Sequence, residues 1–113
     1  MKYIPKQGDI IKMDFNPTKG REQQGFRPAV VVSNARYNRF TPGFAIVCPI
    51  TNTDRGFSLH ARLDERTKTT GVIITNQAKA LDLRQRNISF VERFPDDILA
   101  DVCDIVSGFS DFD

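Results

Sequence analysis

Apolar residues along this chain fall mostly in short runs or simple alternation, the pattern of β-strands, with one helical stripe near the end. A strand is predicted over 10–15, with Ile11, Met13 and Phe15 on one face. The run Ala29-Val30-Val31-Val32 predicts a second strand over 29–33, apolar on both faces and therefore central. Further strands are predicted over 44–50, 57–63, 71–75 and 78–83. In the segment 57–63, Phe57, Leu59, Ala61 and Leu63 alternate with Ser58, His60 and Arg62, as in a half-buried antiparallel strand. Pro49 cannot donate to a ladder, so it is expected at its strand's end. Asn16-Pro17-Thr18-Lys19-Gly20 breaks the first strand, and the loop continues to Gly25. A helical turn is predicted over 35–39, followed by a reversal at Thr41-Pro42-Gly43.

The one clear helix starts at Phe94-Pro95-Asp96-Asp97, where two carboxylates suit the positive end of the helix dipole. Ile98, Leu99, Val102, Ile105 and Val106 form its apolar stripe, and Gly108 is expected to stop it. The tail 109–113 is expected to pack loosely. The fold class is mainly β: a small, strongly bent antiparallel barrel or sheet with one helix across it. At 113 residues the chain holds one core and reads as a single domain, 1–113.

Composition narrows the functional classes. With 40% hydrophobic and 27% charged residues, the chain has the make-up of an ordinary soluble globular protein. A net charge of +2 permits nucleic-acid binding without indicating it, so a local basic patch must carry that case. No export signal is evident and no apolar run approaches the roughly 20 residues that span a bilayer. The expected location is cytoplasmic, with no membrane partner. Cys48 and Cys103 read as small buried hydrophobes rather than a disulfide. One histidine, with cysteines not at zinc-ligand spacing, predicts no metal, and no cofactor is expected.

The chemistry concentrates between Asp14 and Asn34, DFNPTKGREQQGFRPAVVVSN. Arg27 stands at the root of the central strand, where its guanidinium is expected to be held. Arginine stays protonated, and its natural task is a bidentate clamp on phosphate oxygens; a strand-start salt bridge is the plainer alternative. Glu22, in the same loop, is the plausible general base, or simply a solvated charge. Thr51 emerges at a strand end, placed to donate to a phosphate oxygen or to form a turn. Lys79, Arg84 and Arg86, with Lys19 and Arg21, could track a nucleic-acid backbone; scattered surface cations are the alternative. Phe26, Tyr37 and Phe57 offer base-stacking surfaces, unless they are core. His60 lacks a nearby carboxylate to orient it and is set aside as a catalyst.

These residues also carry a family likeness. DFNPTKGREQQGFRPAVVVSN, then VCPITN over 47–52, then GVIITNQAKALDLRQR over 71–86, resemble the MazF/PemK (Kid) toxins of bacterial toxin–antitoxin systems. The resemblance implies an SH3-like barrel, shared with CcdB toxins, and a homodimer with RNA bound across its surface. It implies a sequence-specific, metal-independent endoribonuclease of single-stranded RNA, chiefly mRNA. The 2′-hydroxyl attacks, leaving a 2′,3′-cyclic phosphate and a 5′-hydroxyl, and translation and growth stop. The implied partners are RNA and a cognate antitoxin, with operator DNA met only through the toxin–antitoxin complex.

Position by position, Arg27 and Thr51 match the family's catalytic arginine and threonine, and Glu22 its loop glutamate. Gln77 matches a family glutamine, and Lys79 and Arg86 stand at positions that are often basic. The RNA-contact candidates are Lys19, Arg21, Gln23, Phe26, Asn52, Asn76, Gln77, Lys79, Arg84 and Arg86. The chain departs from Kid-like members in having Arg21 for a histidine, Ile74 for an arginine and Asn76 for an aspartate. Asn76 can hydrogen-bond RNA but cannot take a proton, so an acid–base scheme built on that aspartate does not transfer. Two alternatives share the fold: a gyrase-binding inhibitor like CcdB, and an inactive relative that binds RNA or antitoxin.

Overall fold

The computed structural model describes residues 3–14, 26–53, 56, 60–84 and 86–109. In chain order the elements are β1 (Asp9–Asp14), β2 (Phe26–Val31), α1 (Ala35–Phe40), β3 (Phe44–Thr51), β4 (Ala61–Arg62) and β5 (Val72–Ile73). A 3-10 turn (Thr75–Gln77), β6 (Lys79–Asp82), β7 (Ser89–Arg93) and α2 (Asp96–Gly108) follow. Among these residues, seven strands form one sheet ordered β4-β5-β3-β2-β1-β7, with β6 also paired to β3. Every pairing is antiparallel.

The two faces of the central strands are buried by different means. Val30, Val32, Cys48 and Ile50 point to one face, where they meet Ile10, Ile73 and the Ile98 and Val102 side chains of α2. Ala29, Val31, Ala45 and Val47 point the other way, with Ile11 and Met13. Leu83 and the partly buried Tyr3, Leu81 and Ile88 pack against this second cluster. One helix can cover only one face. The apolar run predicted to be central therefore requires the sheet to curl its own margin over the other face. The result is mainly β, a half-barrel with one long C-terminal helix, which is the predicted class.

Several local expectations need correction. Pro49 lies inside β3, not at its end. Its carbonyl accepts from Ile74 N at 2.9 Å, where the neighbour of β3 changes from β6 to β5. A missing N–H is tolerated at that handover. The strand predicted over 71–75 is shorter. After Ile73 the chain turns through Thr75–Gln77, with Thr75 fully buried, so that β5 and β6 can share one edge of β3.

Strand β7 has no counterpart in the sequence reading. Among the described residues it is an edge strand paired only with β1, and its Phe90 and Val91 are exposed, so no one-sided apolar alternation marks it. Of the strand predicted over 57–63, residues 57–59 lie outside the described residues and Ala61–Arg62 form β4. Phe15, expected on the first strand, and residues 110–113 of the tail also lie outside the described residues. Gly108 is the last helical residue, and Phe109 caps it. Both cysteines are free, and Cys48 is fully buried, which pushes its thiol up to about 12. Cys103 is only half-buried, on the flank of α2.

Candidate active site

Sheet geometry sets Arg27 and Thr51 on the same face of neighbouring strands. Strands β2 and β3 pair in the register Ala29↔Pro49, Val30↔Cys48, Val31↔Val47. The ladder ends at Ala29↔Pro49, where β3 goes on to pair with β5; the same register carried two residues further would set Arg27 toward Thr51. Side chains alternate across a strand, and Val30, Cys48 and Ile50 face α2, so Arg27 and Thr51 face away from it. A long guanidinium and a short hydroxyl can then share one ligand.

Arg27 is exposed, and among the described residues no ion pair engages it. The sequence had suggested a held guanidinium. The structure holds the backbone instead: Arg27 pairs with Met13 of β1, two residues before the first fully buried position of β2. Beside it, Phe26 is 41% exposed, leaving a ring edge available to a base.

Thr51 is half-buried and closes a turn, its hydroxyl accepting from Thr53 N at 3.2 Å. An accepting hydroxyl keeps its own proton to donate, so the turn role and phosphate contact are compatible. Gly71 presses on this residue. Its φ is +121°, and a Cβ there would stand 2.3 Å from the Thr51 carbonyl oxygen. Next to it, the Thr70 hydroxyl donates to Asn52 Oδ1 at 2.9 Å.

The loop delivering Gly71 is anchored at two points. Glu92 accepts from Lys68 N, Thr69 N and the Thr69 hydroxyl at 2.8–3.1 Å. Burial alone would raise the Glu92 carboxyl, yet these bonds hold it below its usual range. Arg66 forks between Asp64 and Asp97, tying the loop to the start of α2. Sequence reading missed this support of Thr51. The only local signal was a glycine opening an apolar run, which usually marks nothing more than a strand start.

The other predicted contacts divide. Asn76 and Gln77 are exposed on the 3-10 turn, and Asn76 Oδ1 lies 3.1 Å from His60 Nε2, so an amide orients His60 where no carboxylate was foreseen. Lys79 is exposed opposite Val47, on the face turned from α2. Arg84 does not join them. It is paired to Asp82 at 2.7 Å and stacks 5.8 Å over Phe44, at the start of β3, seven residues and about 23 Å of strand from Thr51. Arg86 donates to the carbonyls of Asp82 and Asp14, clamping the end of β1 to the segment after β6. Tyr37 is half-buried on α1. Glu22, Lys19, Arg21, Gln23 and Phe57 lie outside the described residues. A cavity between Tyr3, Phe44, Leu83 and Ile88 opens at the start of β3, away from this site.

The chain is similar to known proteins over most of its length. The model of the PemK-like, MazF-like toxins of type II toxin–antitoxin systems matches residues 6–108. The endoribonuclease toxin MazF of Escherichia coli K12 is 40% identical over 85 residues, 75% of either chain. The endoribonuclease PemK of Escherichia coli is 35% identical over 101 residues, 86% of this chain and 75% of that one. A crystal structure of MazF from Deinococcus radiodurans superposes with a TM-score of 0.81 at 32% identity, covering 96% of this chain and 97% of that one. A MazE–MazF structure from the same organism gives 0.80 at 29% identity, covering 96% of each.

Proposed function

Because the chain belongs to the PemK-like, MazF-like toxin family of type II toxin–antitoxin systems, and is an endoribonuclease toxin, we propose that it cuts single-stranded mRNA without a metal at Arg27 and Thr51. In this reading the scissile phosphate lies between the two side chains. The Arg27 guanidinium pairs with its oxygens as negative charge grows on them, and the Thr51 hydroxyl donates to one of them. Glu22 takes the proton from the neighbouring 2′-hydroxyl, whose oxygen attacks phosphorus in line. As that bond forms, the bond from phosphorus to the 5′-oxygen breaks and the leaving oxygen takes a proton from water, so the products are a 2′,3′-cyclic phosphate and a 5′-hydroxyl. Asn76 cannot take up a proton and serves by hydrogen bonding. The observation that supports the reading is the β2–β3 register, which, carried two residues past its end, sets an exposed arginine toward a half-buried threonine on the face turned from the helix.

The same reading includes a homodimer, a cytoplasmic location and a cognate antitoxin that neutralises the toxin. A partner of that kind is seen in the MazE–MazF structure of the Deinococcus relative. Operator DNA is met only through the toxin–antitoxin complex.

Purified protein incubated with a long RNA in excess EDTA should cut at one short recurring motif and leave 5′-hydroxyl ends. Loss of cutting in EDTA that returns with added magnesium would overturn the metal-free chemistry. Thr51→Val should slow cleavage by about 10²-fold while the protein stays folded. Glu22→Gln should slow it by about 10²–10⁴-fold, the span of a lost general base. A normal rate in the Glu22 variant would move the base elsewhere.

A further inference from the structure

The row that contains Thr51 does not end there. Thr51 pairs with Val72 of β5, and Val72 pairs with Arg62 of β4. The preceding row, Ile50–Ile73–Ala61, packs into the core beneath α2. Alternation therefore turns Thr51, Val72 and Arg62 together to the opposite face, the face of Arg27. Arg62 is exposed, while its neighbours Ala61 and Leu63 pack toward the helix. With strands about 4.8 Å apart, Arg62 stands roughly 10 Å from Thr51 across the sheet, on the side away from Arg27.

We infer that Arg62 is a second phosphate clamp, holding the RNA backbone beside the scissile phosphate on the β4 side of the site. This rests on the reading that RNA lies across Arg27 and Thr51. Val72, between Thr51 and Arg62 in the row, is buried and makes no contact with RNA, so the next charged group exposed in the row is the Arg62 guanidinium. A guanidinium suits that place because it pairs with two phosphate oxygens at once and keeps its charge at every working pH. Lys79 lies on the same face but level with Val47, four residues along β3 from Thr51. It therefore cannot substitute for a cation in the Thr51 row. Nothing in the alternation of 57–63 distinguished Arg62 from an ordinary exposed strand residue. Only the pairing of β4 to β5 and of β5 to β3 puts it in line with Thr51.

The test is binding of a fluorescent single-stranded RNA carrying 2′-O-methyl groups throughout, which blocks the attacking hydroxyl. Wild type, Arg62→Ala, Arg62→Gln and Arg62→Lys are compared over a salt series, with thermal melts alongside. The inference expects about tenfold weaker binding for Arg62→Ala and Arg62→Gln. It also expects a log Kd versus log salt slope smaller by about 0.7, the share of one phosphate contact on a single strand. Arg62→Lys should restore the slope. On cleavable RNA, Arg62→Ala should raise KM and leave kcat unchanged, the sign of lost uniform binding. Wild-type affinity and slope in a folded Arg62→Ala, beside a wild type that binds, would overturn this assignment and leave the Arg27–Thr51 site standing. A loss of affinity with an unchanged salt slope would make Arg62 a structural charge on an edge strand and also overturn it. A wild type that neither binds nor cuts RNA would remove the parent reading, and this one with it.

Discussion

Arg27→Ala is expected to give a folded protein that cleaves RNA about 10²–10³-fold more slowly than wild type. The size follows from the task given to the guanidinium. A single donor aimed at charge that develops only in the transition state contributes about 3–4 kcal/mol, which is that factor in rate. Folding should be spared because nothing in the core depends on the side chain. Arg27 is exposed, and the β1–β2 ladder at this point is made by its backbone, which alanine supplies equally well. The measurement is single-turnover cleavage in EDTA beside a thermal melt. Wild-type cleavage by the variant would end the proposed mechanism. If the wild type itself cuts nothing while remaining folded, the inactive-relative or gyrase-binding alternatives take over, and a gyrase pull-down separates those two.

Gly71→Ala is the second large effect, and it should damage both stability and cleavage. Two costs coincide at this position. A φ of +121° strains any L-residue, by about 1–3 kcal/mol. The new methyl would also stand 2.3 Å from the Thr51 carbonyl oxygen, which is backbone and cannot rotate aside. Relief requires the end of β3 and β5 to move apart, carrying Thr51 out of its place. The melting temperature should fall by roughly 4–8 °C for each kcal/mol, and kcat should drop with it. Gly56→Ala supplies the control. Its φ is +76°, but a Cβ there meets nothing within 4 Å among the described residues, so it bears backbone strain without collision. Equal losses in both variants would show that Gly71 matters only for its backbone angle and that Thr51 is not pressed into place.

The contrast between these two residues shows what a sequence exposes. Arg27 could be singled out as a candidate because its chemistry is its own: a permanent cation before a β-branched run offers the same groups wherever the run goes. Thr51 could be singled out in the same way, as a hydroxyl at the end of an apolar run. Gly71 was not, because its importance lies in an atom it lacks and in a carbonyl 20 residues away in the chain. Strand β7 escaped notice because an edge strand with exposed apolar residues has no one-sided pattern to betray it. Arg84 and Arg86 looked like partners of Lys79 because they are near it in sequence. The turn after β6 gives one to Asp82 and the other to two backbone carbonyls.

By itself, then, the sequence determined the strand-rich class, the central position of Ala29 to Val32, the helix beginning at Asp96 and the functional groups on offer. Period-two and helical alternation are local properties, written in consecutive residues. Only the tertiary structure decided which side chains stand beside one another. The order β4-β5-β3-β2 places Thr51 between Arg27 and Arg62, residues separated from it by 24 and 11 positions. Strand order and register are set by burying whole faces at once, under α2 on one side and under the curled sheet margin on the other. A one-residue slip would turn every core residue of a strand outward, so the register is strongly specified, but by no segment on its own.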